Sequence, residues 1–159
     1  MYTDNKCQDC SRGYGRITNA AGETEIVYKP GCCKLSVYDW LRDIPEERTK
    51  DLFQVRFKNT RKSIYRNFTG QSLEVGDIVT VEAANGHDIG IITLSGALIL
   101  NQLKKDNIDP SGYEFKKIYR KAKSHDIEKW QEAISREHTT MIRSRQIAAS
   151  LALNMKIGD

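Results

Sequence analysis

The sequence predicts an α+β fold: a small β-barrel, a short covering helix and a long C-terminal helix. Three observations predict it. Five short segments alternate apolar and polar residues, as half-buried strands do. Tight-turn residues separate them, most clearly at Asn85-Gly86. One late stretch, from Ser124, repeats apolar residues at helical spacing over a length that no barrel strand needs.

The chain divides into four parts in order. Residues 1–31 form a cysteine-containing leader, rich in Gly, Asn and Thr, in which GRITNAAGETEIVYKPG reads as a weak hairpin with Gly22 near its turn. Residues 32–50 are a docking segment and connector. Here YDWL supplies Tyr38, Trp40 and Leu41 to dock on the domain, because large aromatic area has little other reason to appear there. Pro45 followed by EERTK reads as a polar connector or brief helical turn.

Residues 51–122 carry the barrel. LFQVRFKN places Phe53, Val55 and Phe57 on one face and Gln54, Arg56 and Lys58 on the other, and Asn59-Thr60 turns the chain into KSIYRNF. EVGDIVTVEA and HDIGIITLSG form a hairpin about Asn85-Gly86, and FKKIYRKA is a fifth strand. Between the last two, ALILNQLKKDN reads as a short helix over one barrel mouth, followed by the turn Asp109-Pro110-Ser111-Gly112. Five short strands with tight turns suit an SH3-like or translation-protein-like barrel.

Residues 123–159 are a long helix, with Ser124 as its N-cap and Ile127, Trp130, Ile134, Met141, Ala148 and Leu151 along one face. Met155-Lys156-Ile157 then alternates like an opening strand, so the chain reads as the front part of something larger. An apolar face of that length exceeds what a small barrel covers, which leaves self-association through the helix as one use for it.

Charged residues make up 29% of the 159 residues and mean hydropathy is −0.57, which describes a polar chain. The longest apolar run, Ile89 to Leu100, is broken by Gly90, Thr93, Ser95 and Gly96, so no segment reads as a membrane span. The N-terminus lacks the basic-then-apolar order of a secretory signal, and a cytoplasmic location is expected. In that compartment the four cysteines read as thiols or metal ligands rather than disulfides.

Those cysteines are Cys7-x-x-Cys10 and the adjacent pair Cys32-Cys33. C-x-x-C lets two thiolates reach one ion from a tight turn, and four thiolates suit zinc or an iron–sulfur cluster. Adjacent side chains diverge, so one of Cys32 and Cys33 has no obvious place in a tetrahedron. Free, reduced thiols in a leader are the alternative. No nucleophile is paired with a base. His87 sits at a hairpin tip, and His125 and His138 fall on the helix without H-E-x-x-H spacing. A P-loop is absent. No catalytic residue is therefore assigned.

The net charge of +4 is modest, but the cations cluster. Lys58, Arg61, Lys62 and Arg66 form one group, and Lys117, Arg120 and Lys121 fall within a second, which suits phosphate backbones or a protein partner. Solvated strand faces account for the same charges.

Distinctive segments run through the chain from Cys32 onward. CCKLSVYDWL, VRFKNTRKSIYRN, GDIVTVEAANGHDIGIITLSG and KKIYRKAKSHDIEKWQEAISREHTTMIRSRQIAASLALNMKIGD occur in that order. They resemble the YaaT/RicT family, also described as polymerase-suppressor-protein-like, and most closely its Bacteroidetes-type branch. The resemblance covers roughly residues 32–159. Family members continue into a C-terminal α/β domain with the motif G-x-C-G-x-x-x-C-C, which this sequence does not contain, so the family's iron–sulfur ligands do not map onto Cys7, Cys10, Cys32 or Cys33. The resemblance implies a cytoplasmic, non-enzymatic accessory protein of RNA processing, working through protein partners and RNA. The alternatives are a metal-dependent or redox protein built on the cysteine leader, and a truncated piece without independent function.

Overall fold

The computed structural model describes residues 14–18, 24–28, 37–44 and 46–158. Strand β1 (Tyr14–Thr18) pairs antiparallel with β2 (Thr24–Tyr28), as the leader hairpin predicts; the turn at Gly22 lies outside the described residues, as do Cys7, Cys10, Cys32 and Cys33. The chain divides into two compact units, residues 1–122 and 123–159.

In the first unit five strands follow a 3-10 turn at Glu47–Thr49, the brief helical turn that is one of the two readings of EERTK: β3 (Leu52–Arg56), β4 (Lys62–Asn67), β5 (Ile78–Glu82), β6 (His87–Ser95) and β7 (Lys116–Lys121). They pair in the order β3-β4-β7-β5-β6, and β6 pairs back to β3, so the circuit closes into a barrel. The sheet is mixed, because β4 and β7 run parallel while the other pairs are antiparallel. Asn59 takes a left-handed φ of 55° in the β3–β4 turn, and the Arg61 N–H donates to the Lys58 carbonyl at 3.1 Å. The β5–β6 hairpin pairs Glu82 with His87, so its loop holds four residues rather than the two that Asn-Gly suggests, with Gly86 at φ 87°.

Two cores share this sheet. Phe53, Val55, Phe57, Tyr65, Val79, Val81, Ile92 and Ile118 fill the interior. A second cluster gathers Leu52 and Leu94 with Leu98, Ile99 and Leu103 of helix α1 (Leu98–Lys105), together with Phe115 and the half-buried Ile64. Leu52 and Ile64 have the opposite strand parity to Phe53 and Tyr65, so they stand on the outer face of the sheet. Helix α1 therefore packs on that outer face and not over a barrel mouth. Its C-terminus is a Schellman turn. Asn107 is left-handed at φ 55°, the Asn107 and Ile108 N–H groups donate to the Lys104 and Leu103 carbonyls at 3.1 and 2.9 Å, and Ile108 packs on the same cluster.

Strand β3 is buried along its whole length. Gln54 and Arg56, expected on a solvated face, are 2% and 3% exposed. Period-two alternation shows which residues share a face, and here the second face is covered too. Strand β6 adapts through a bulge: Val55 pairs with Ile92 but Gln54 with Leu94, which leaves Thr93 as the extra residue. The bulge turns Leu94 outward to α1 while Ile92 stays inside. The buried Thr93 hydroxyl donates to Gln54 Oε1 at 3.2 Å. Thr49, fully buried, donates to the Gly96 carbonyl at 2.9 Å and ties the 3-10 turn to the end of β6.

The docking segment attaches differently from expectation. Val37 and Leu41 pack against the outer cluster, whereas Tyr38 and Trp40 are exposed. The Asp39 carboxylate accepts the Leu41 N–H at 3.0 Å, closing a turn that points the aliphatic residues inward.

The second unit is helix α2 (Ser124–Ser150) and its tail. Ser124 is not the N-cap. Lys123 is, and the Asp126 carboxylate accepts its N–H at 2.8 Å, the reciprocal half of a capping box, because the first helical bond already ends on the Lys123 carbonyl. Trp130 and Ala148 are buried, while Ile127, Ile134 and Met141 are half-buried. Ile142, Ile147 and Leu151 are exposed. The helix ends in a second Schellman turn: the Leu153 N–H donates to the Ala148 carbonyl at 3.0 Å and Ala152 takes φ 52°. Residues 153–158 form no strand, contrary to the reading of Met155-Lys156-Ile157. The Arg145 guanidinium instead donates from Nε to the Ile157 carbonyl at 2.8 Å, folding the tail back along the helix.

Two substitutions test this architecture. A Cβ at Gly90 would lie 2.5 Å from Val55 Cγ1 and 2.8 Å from the Arg56 carbonyl oxygen, so the strands could not keep their spacing. Gly90→Ala is expected to lower unfolding free energy by about 1–3 kcal/mol or more in urea denaturation, since the clash includes backbone. Ala152→Gly is expected to act oppositely. It relieves a left-handed conformation that costs an L-residue about 1 kcal/mol, and should slow amide exchange in the last turn of α2.

Candidate nucleic-acid interface

The two cationic groups of the sequence come from β4 with its preceding turn and from β7. Parallel pairing joins them at one point, where Arg66 lies opposite Lys117. Lys58, Arg61 and Lys62 lie toward the β3–β4 turn, and Arg120 and Lys121 toward the other end of β7. The structure thus brings two of the seven candidate residues into register and spreads the others along the strands.

Most of the seven are engaged within the protein. Arg61 donates to the Asp88 carboxylate at 2.6 Å, and its guanidinium lies 4.0 Å above the Phe57 ring. Lys121 Nζ is 2.8 Å from the Asp77 carboxylate. Arg120 donates from Nη1 to the Lys121 carbonyl at 3.3 Å. Arg66 Nε stands 3.0 Å from Asp51 Oδ2, as a meeting of charges without an aligned hydrogen bond. Lys58 is half-buried, and Lys62 is exposed. Such exposed pairs add little stability, and they reduce the charge each cation offers to an outside phosphate.

The outer face of β4 and β7 carries a feature that charge counting misses. Arg66 at the end of β4 shares the outer face with Lys117 opposite it on β7, and Phe68 directly follows β4 while Phe115 directly precedes β7. Lys117 Nζ is 5.6 Å from the Phe68 ring centre, and the Arg66 guanidinium is 5.9 Å from Phe68 and 5.1 Å from Phe115. Phe115 meets Tyr113 edge-on at 4.8 Å. The result is a continuous strip of cations and rings in which Phe115 is buried while Phe68 is 58% and Tyr113 50% exposed. Tyr119 is also exposed on β7. The signal in the sequence was the aromatic interleaving of SIYRNF and GYEFKKIY, which reads equally well as strand core.

Asn67 builds the turn that presents Phe68. Its Nδ2 donates to the Gln71 carbonyl at 2.8 Å, and its Oδ1 accepts the Thr69 N–H and hydroxyl at 3.2 and 2.9 Å. Gln71 Oε1 accepts the Lys121 N–H at 3.4 Å, which fastens the loop to β7.

Among the described residues no three His, Cys, Asp or Glu side chains converge as a metal site. No helix among them is long and apolar enough to cross a membrane. A hollow of about 410 Å³ lies in the second unit between α2 and its tail, lined by Arg145, Ala148, Leu153 and Met155 among others. Comparison with family models, curated proteins and solved structures finds no match for the chain.

Tyr65, inside the barrel and edge-on to Phe57 at 6.0 Å, has a shifted pKa. Burial raises its pKa above the ordinary 10.0, and Asp88 and Glu82 raise it further against an opposing pull from Arg61. A phenol whose pKa is higher folded than unfolded stabilises the fold fully below about pH 10 and ceases to do so as pH rises through the folded value. Wild-type stability is therefore expected to fall above pH 10 more steeply than that of Tyr65→Phe, as read by urea midpoints across pH 8–11.

Proposed function

We propose that the chain is a non-enzymatic accessory protein of RNA processing, as its resemblance to the YaaT/RicT family implies, and that it acts in the cytoplasm beside protein partners. The barrel is read as SH3-like or translation-protein-like, a class of small closed sheet that presents loops and one face to RNA or protein. The observation that carries the proposal is the outer strip of β4 and β7. Exposed rings among cations are the composition that single-stranded RNA selects, because every base has a stacking face and every nucleotide a phosphate.

Protein contact has its own support. Ile147, Leu151, Leu153 and Met155 leave apolar area exposed at the C-terminal end of the second unit, suited to a partner or a second copy. The metal or iron–sulfur reading rests on Cys7, Cys10, Cys32 and Cys33, which lie outside the described residues.

Ultraviolet crosslinking in cells, followed by purification of the tagged chain under denaturing conditions, tests the proposal. RNA is expected to be recovered covalently attached, and the chain purified natively is expected to leave labelled RNA intact. Turnover of that RNA by the purified chain would replace the accessory role with a catalytic one.

A further inference from the structure

We infer that the Phe68 ring is a stacking platform for one unpaired base of a single-stranded RNA. The inference deepens the RNA reading above and rests on it.

A phenylalanine left 58% exposed forgoes much of the 1.5–3 kcal/mol that full burial of its side chain would contribute. Chance exposure at a frayed loop does not describe this site. The Asn67 carboxamide makes three hydrogen bonds across the turn, and Gln71 bonds onward to the β7 backbone. The backbone that carries the ring is thus fixed before any ligand arrives, and a phenylalanine has only two torsions to restrict. Both reduce the entropy lost on binding.

The neighbours of the ring select the ligand. Lys117 Nζ and the Arg66 guanidinium lie over the ring at 5.6 and 5.9 Å from its centre, so positive charge stands within reach of the phosphates of a strand whose base stacks on the open part of that ring. A protein partner would seat an aromatic anchor in a well-packed, desolvated pocket, whereas Phe68 stands 58% exposed. Arg66 is already shared with Asp51, so Lys117 supplies the larger part of the attraction for phosphate. Bases inside a duplex have both faces covered by neighbours, and the A-form major groove is too narrow for side chains to read. The platform therefore discriminates for unpaired strands. Tyr113, at the other end of the strip beyond Phe115, offers a second exposed ring to the same strand.

The test is fluorescence anisotropy of the full chain with labelled oligouridylate, with oligothymidylate of the same length and with an RNA duplex. Oligouridylate is expected to bind more tightly than the duplex, and oligothymidylate, which lacks the 2′-hydroxyl but keeps a base to stack, is expected to do so too. Phe68→Ala should weaken oligouridylate binding about 5- to 150-fold, the range of one lost stacking contact. Phe68→Trp should restore it, and duplex binding should be indifferent to both. Lys117→Ala should reduce the dependence of log affinity on log salt by about 0.7, one phosphate contact on a single strand. Phe68 is exposed, so the variant should keep the wild-type circular dichroism and urea midpoint. Wild-type affinity in a folded Phe68→Ala would overturn the platform while leaving the RNA reading standing. A wild-type chain that binds the duplex as well as oligouridylate would overturn it and leave the strip to phosphate contacts alone, and one that binds neither would overturn it and leave the strip to a protein partner. RNA recovery by crosslinking then judges the accessory role separately.

Discussion

The rest of the structure depends on one strand being buried on both faces. Strand β3 sends Phe53 and Val55 into the barrel, joined by Phe57 just beyond its end, and Leu52 into the outer cluster beneath α1. One sheet then bounds two cores, and its neighbours must satisfy both. The Thr93 bulge is the device by which β6 does so, giving Ile92 to the interior and Leu94 to the helix. Gly90 is the other half of that fit, because β6 approaches Val55 and Arg56 too closely for a side chain. Around Gln54 the double burial leaves a polar group without water, and the Thr93 hydroxyl answers it. These features are consequences of covering both sides of a strand whose sequence alternates.

That alternation explains what the sequence shows and what it conceals. LFQVRF correctly marks a strand and the residues that share its inner face. It says nothing of what lies on the other face, so Gln54 and Arg56 read as solvated. The strands, the short helix and the long helix are legible because each rests on local periodicity and local turn residues. The caps are less so. Ser124 is the better N-cap by residue type, yet Asp126 decides the matter by bonding back to Lys123. The final Met155-Lys156-Ile157 alternates like a strand, but with Arg145 beside it the backbone finds its partner on the helix. A strand needs a neighbour, and no local pattern reveals whether one is near.

The candidate site follows the same division. Clustered cations are visible in the sequence, but their partners are distant in it. Asp88 claims Arg61, Asp77 claims Lys121, and Asp51 stands against Arg66. Which charges remain for an outside ligand is a property of the fold. Phe68 is hidden in the sequence for a related reason. An aromatic at the end of an alternating run reads as core, and only the Asn67 turn shows that the chain holds the ring outward.

The parallel pairing of β4 with β7 joins these two lessons. Strands that are neighbours in sequence would have met through a short hairpin. Here the chain leaves β4, builds β5, β6 and α1, and returns to lay β7 alongside. Phe115 enters that return strand as part of the α1 core and so fixes where β7 begins. With Phe115 anchored, Lys117 falls opposite Arg66 and beside Phe68. The strip thus has one wall set by hydrophobic burial and another held by a hydrogen-bonded turn. Its cations are few and partly neutralised by neighbours. Attraction at long range is accordingly modest, and under the RNA reading proposed above recognition would fall to the rings, whose contact energy neither salt nor a nearby carboxylate removes.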